Sequence, residues 1–67
     1  EALAVFRTNA YLFPESGNVL SSLGEAWLKK GDKSKAVSIL EKSLEYTKDP
    51  ALIKTILPLL YEAKGLK

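Results

Sequence analysis

The hydroxyls of Ser21, Ser22, Ser34, Ser38 and Ser43 are among the groups in this chain that could act as nucleophiles. A serine hydroxyl attacks only when a base takes its proton, and near neutral pH that base is most often histidine. The chain has no histidine. A Ser–Lys pair needs a buried lysine, and the lysines here sit in charged, exposed-looking surroundings. Glu25 and Glu62 would form an acid–base pair only if folding brought them together by chance, and solvated helix surface is the simpler reading. Gly24, Gly31 and Gly65 do not make a phosphate loop, because no strand precedes them. Lys29, Lys30, Lys33 and Lys35 form a local concentration of charge with Asp32 in its midst and no interleaved aromatics. A solvated turn is expected there rather than a patch for an anionic partner. With no cysteine either, the usual metal ligands are missing, and no metal, cofactor or catalytic residue is expected.

What remains is architecture. At 67 residues the chain is one small domain, and without disulfides it must rely on regular helix packing. Hydrophobic residues make up 46% and charged residues 27%, which is too apolar for disorder. A net charge of +2 is too balanced to point to nucleic acid. No apolar run approaches a membrane span, so neither nucleic acid nor membrane is expected as a partner. The lack of cysteine fits any compartment, leaving cytoplasmic, periplasmic and secreted locations open. The chain begins at Glu1 rather than methionine, which suggests a piece of something longer.

Apolar residues recur at helical spacing throughout. In a first helix ended by Pro14, Ala2, Val5, Phe6 and Asn9 share a face, with Leu3, Ala10 and Phe13 beside it. Ser16, Gly17 and Asn18 then form a turn. A second helix, about 18–30, turns Val19, Leu20, Leu23, Ala26 and Trp27 inward and stops at Gly31, with two lysines in its last turn. Asp32 caps a third, about 33–47, with Ala36, Val37, Leu40, Ser43 and Leu44 inward. Asp49-Pro50 opens a fourth, about 50–64, that ends at Gly65. The fold class is all-α, with four helices and short links.

Shifted by 34 positions, the chain matches itself. Ala2 falls on Ala36, Leu23 on Leu57, Lys30 on Lys64, Gly31 on Gly65 and Lys33 on Lys67. Similar pairs include Leu3 with Val37, Phe6 with Leu40, Val19 with Ile53 and Trp27 with Tyr61. A two-helix unit recurring every ~34 residues has the tetratricopeptide period. The stretch "NVLSSLGEAWLKKGDKSKAVSILEKSLEY" resembles one such repeat. Leu20, Leu23, Gly24 and Trp27 match its first-helix signature, Gly31 and Asp32 its turn, and Ala36, Leu40 and Ser43 the small, large and small positions of its second helix. The resemblance divides the chain into the second helix of one repeat (1–14), a full repeat (17–48) and a terminal capping helix (50–65). Gly24 and Ala36 would let two helices approach closely. Trp27 would bury on the order of 150–250 Å² between them, roughly 4–6 kcal/mol at most. Two departures stand out: Pro50 comes two residues later than Pro14 under the offset, and Pro58 takes the slot of Gly24. A proline there predicts a kink, or a break near Leu57.

The resemblance implies a right-handed α-solenoid of stacked antiparallel hairpins whose concave face binds a protein or peptide. By that resemblance the face would carry Asn18, Ser21, Ser22, Glu25, Leu28 and Lys29, with Leu52, Thr55, Ile56, Leu59 and Ala63 from the last helix. Repeats that clamp a peptide carboxylate use lysine, arginine and asparagine on this face. The residues here are mostly apolar or neutral, so an apolar peptide or a partner helix suits them better. Similar short arrays also occur at the C-terminal end of bacterial hydrolases, where this segment would be a structural or regulatory appendage. Apolar surface left on the first and last helices suggests a homo-oligomer through the terminal helices.

Overall fold

The computed structural model describes residues 2–65, with side chains from residue 3. They form four α-helices in sequence: α1 Ala2–Leu12, α2 Gly17–Lys30, α3 Lys33–Tyr46 and α4 Pro50–Lys64. Among the described residues there is no strand.

Local chemistry sets the boundaries. Pro14 steers Phe13 away from the helical region, and α1 ends at Leu12, two residues short of the proline. Phe13 N–H still donates to the Asn9 carbonyl at 2.8 Å, and Ser16 N–H to the Phe13 carbonyl at 3.1 Å. Ser16 caps α2 by accepting from Val19 N–H at 3.2 Å. Gly17, expected in the turn, is instead the first residue of α2. Asp32 caps α3 through Lys35 N–H at 3.1 Å, and Asp49 caps α4 through Ala51 N–H at 3.0 Å. Gly31 and Gly65 end α2 and α4 with φ of +97° and +78°, a left-handed geometry that suits a residue without a side chain.

α2 packs most extensively on α3, α3 on α4 and α1 on α2, with a smaller contact between α2 and α4. The Cα atoms span 32 × 27 × 15 Å, a slab thin enough for two layers of helices at the usual ~8–10 Å separation. The core is Ala36 and Leu40 from α3 with Ile56, Leu60 and Ala63 from α4. Trp27, Leu28, Val37, Leu44, Leu52 and Leu59 pack around it.

The contact between α2 and α3 is close at two points. A Cβ on Gly24 would lie 2.6 Å from Leu40 Cγ and 2.7 Å from Leu40 Cδ2, so the fully buried leucine occupies the space a side chain would need. A Cβ on Gly17 would overlap the Thr47 hydroxyl. Beside it, Ser43 Oγ donates to the Gly17 carbonyl at 2.7 Å, and Thr47 Oγ1 donates to the Ser43 carbonyl at 2.7 Å. The first of these buried bonds fastens the start of α2 to the end of α3, and the second orients the Thr47 hydroxyl under Gly17.

Two expectations change. The covered stripe of α1 is Leu3, which is buried, with Phe6, Asn9 and Ala10 half-buried, while Val5 is 56% and Phe13 59% exposed. With α2 as its one neighbour among the described helices, α1 needs a stripe only three residues deep, and Val5 lies off it. Pro58 does not break α4, which is assigned as continuous from Pro50 to Lys64. Proline cannot donate to the Lys54 carbonyl four residues earlier, but both residues are exposed, on a side of α4 where water can take the place of the lost donor.

Gly24→Ala should lower stability by about 1–2 kcal/mol, because overpacking against immobile Leu40 outweighs the gain of about 1 kcal/mol in helix propensity. Urea denaturation checks this, and a stabilised variant would mean Leu40 can move aside. Pro58→Ala should raise stability by about 1–3 kcal/mol by restoring the missing bond on the wet side of α4. A fall in the urea midpoint would mean that the proline is packed rather than merely tolerated.

Candidate functional site

Three of the five candidate serine hydroxyls, those of Ser21, Ser22 and Ser43, are held by backbone, while Ser34 and Ser38 are exposed. Ser21 Oγ donates to the Asn18 carbonyl at 2.8 Å, and Ser22 Oγ donates to the same carbonyl at 3.2 Å. Thr55 Oγ1 donates to the Ala51 carbonyl at 3.3 Å, and Ser43 holds Gly17. Glu25 lies 3.8 Å from Lys29 one turn along α2, an exposed pair worth little. Among the described residues, no three acidic side chains gather as a metal site would require. No described helix is long and apolar enough to cross a membrane.

The basic run is arranged around Trp27. Lys35 Nζ sits 4.4 Å from the centre of the ring and Lys30 Nζ 5.8 Å from it, both within cation–π reach. Lys35 also approaches Asp32 at 4.0 Å. The indole is partly buried, with part of its surface against the core and part under these ammonium groups. Trp27 is thus a structural ring with a charged lid.

The residues expected on a concave face fall into four groups. Asn18, Lys29 and Thr55 are exposed. Leu28, Leu52 and Leu59 are partly buried against the core. Ser21 and Ile56 are buried at 6% and 0% exposure, so neither can meet a partner. Ala63 is buried too, at 5%. Ile56 points at α3 because α4 rotates its strongest apolar line, Ile56–Leu60–Ala63, onto Ala36 and Leu40. Ser21 is covered where α2 meets the rest of the fold.

The fourth group, Ser22 and Glu25, is partly buried and lines a groove together with Lys29. The groove lies between α1 and α2 and encloses about 640 Å³. Leu3 and Phe6 form its α1 wall, while Ala26 and Lys30 complete the α2 wall. Phe6 and Ser22 also border a smaller recess of about 130 Å³ with Asn9, Asn18 and Val19. The groove's lining is mixed, with apolar Leu3, Phe6 and Ala26 beside Ser22, Glu25, Lys29 and Lys30. Ser22, Glu25 and Lys29 share the α2 wall, with Glu25 3.8 Å from Lys29, and such a surface can hold an amphipathic segment.

No protein-family model, curated protein or solved structure matches the chain. The groove therefore stands on its own geometry.

Sequence patterning missed the groove because it forms between helices whose pairing is set by three-dimensional packing. One signal did exist: Leu3 and Phe6 are large apolar residues on a helix with only one neighbour to cover them. The approach of Gly17 to Thr47 was also missed, since a glycine beside serine and asparagine reads first as a turn.

Proposed function

We propose that the chain is a tetratricopeptide-like segment of an α-solenoid that serves as a protein-interaction module, with the α1–α2 groove as its binding surface. The 34-residue self-match, the glycine–leucine contact between α2 and α3, and the chain-order packing with an added α2–α4 contact support the repeat reading. The groove carries the functional reading. It joins an apolar floor, Leu3, Phe6 and Ala26, to a polar rim, Glu25, Lys29 and Lys30, on rigid helices. Apolar centres with polar rims are the usual anatomy of a protein interface. Helix-in-groove recognition works by this geometry, through apolar anchors spaced along one face of the bound helix.

Asn18, Ser22, Glu25 and Lys29 are the contact residues retained from the expected concave face. Ser21, Ile56 and Ala63 belong to the interior.

A display selection of randomised helical peptides against the immobilised 67-residue chain tests this. Binders are expected, and Ser22→Arg, which fills the groove from its α2 wall, should weaken them at least about tenfold. Binders indifferent to Ser22→Arg, in a variant whose helicity is unchanged by circular dichroism, would contradict the assignment.

A further inference from the structure

A second face of α1, turned away from the groove, carries Ala4, Arg7, Thr8 and Tyr11. All four are exposed and line a shallow recess of about 470 Å³. Adding 34 gives their counterparts on α3, which are Ser38, Glu41, Lys42 and Glu45. α3 packs on both α2 and α4, yet all four counterparts stay exposed. On the repeat reading above, on which this inference rests, a helix packed ahead of α1 would leave Arg7 and Tyr11 in water too. The face is open whatever repeats adjoin it.

The two faces differ in chemistry. That of α1 holds no carboxylate, and among the described residues no acid lies within ion-pair distance of Arg7. Of the chain's eight acidic residues, Glu41 and Glu45 alone stand one turn apart within a helix. Their spacing is that of Arg7 and Tyr11.

We propose that this face of α1 docks on the face of α3 in a second copy of the chain, forming a two-fold dimer. In the repeat reading α1 and α3 are both second helices, and both pack on α2 rather than on each other. A two-fold axis running between them, along the helices, lays α1 of each copy on α3 of the other in the same direction. Each residue of α1 then stands level with the residue 34 positions later. Arg7 meets Glu41, and Tyr11 meets Glu45.

The guanidinium and the phenol O–H both donate, and the carboxylates accept. Arginine and tyrosine are also the residue types that most often anchor interfaces. Ala4 falls level with Ser38, small against small, which lets the helices approach. Lys42 falls level with uncharged Thr8. Glu41 lies 3.1 Å from Lys64 in an exposed pair, and a carboxylate can accept from two cations at once. Each contact forms twice, as a two-fold interface requires.

The test is sedimentation equilibrium of the 67-residue chain and of two variants, Arg7→Glu and Glu41→Arg, each checked for helicity by circular dichroism. The parent is expected to approach twice the monomer mass as concentration rises, and less readily at high salt. Each variant alone sets like charges together at both contacts and should associate at least about tenfold more weakly. Mixed in equal amounts, the two variants should dimerise as the parent does, because both contacts then join opposite charges.

A parent that stays monomeric would overturn the proposal. So would a variant that dimerises as well as the parent, or a mixture that associates no better than its components. The repeat reading survives any of these results, because it stands or falls with the contact between Gly24 and Leu40.

Discussion

Everything in this molecule depends on how closely α2 can lie against α3. Gly24 leaves a hole, and Leu40 fills it so completely that neither a larger residue at 24 nor a smaller one at 40 fits the same geometry. Side chains in a packed interior have little room to yield, so this fit sets the separation and register of the hairpin. From that register Ser43 reaches the Gly17 carbonyl, Trp27 meets the α4 cluster, and α4 lies across both helices. A 67-residue chain without disulfides has little hydrophobic surface to spare, and close packing is how it makes enough of it.

The ends of the molecule are less complete. α1 is covered on one side only, and Tyr11, Leu12 and Phe13 at its end are 85%, 60% and 59% exposed. Between them α1 and α2 form the groove lined by Leu3, Phe6 and Ala26. Lys29 and Lys30 stand against the single carboxylate of Glu25 in its lining.

Much of the fold was legible in the sequence, and for local reasons. Ser16, Asp32, Asp49, Gly31 and Gly65 are capping residues whose action extends over one turn, so the helix ends could be read to within two residues. The inward faces of α2 and α3 followed from spacing, because each is sandwiched and its apolar stripe is wide. The face of α1 was misjudged by including Val5, since a helix with one neighbour buries a narrower stripe than its composition offers. Ile56 and Ser21 were assigned to a binding face although both are interior. Their burial depends on the angle between α2 and α4, which no local pattern records. Pro58 was expected to kink or break α4; the break does not occur because water can take the place of the lost donor.

The most direct measurement is the set of nuclear Overhauser contacts of the Leu40 methyls in solution. Strong contacts to the Gly24 α-protons and to Ile56 are expected, since all three meet at the centre of the hairpin stack. Leu40 methyls that show neither contact, in a chain that is helical by circular dichroism, would contradict the close α2–α3 approach on which the core depends.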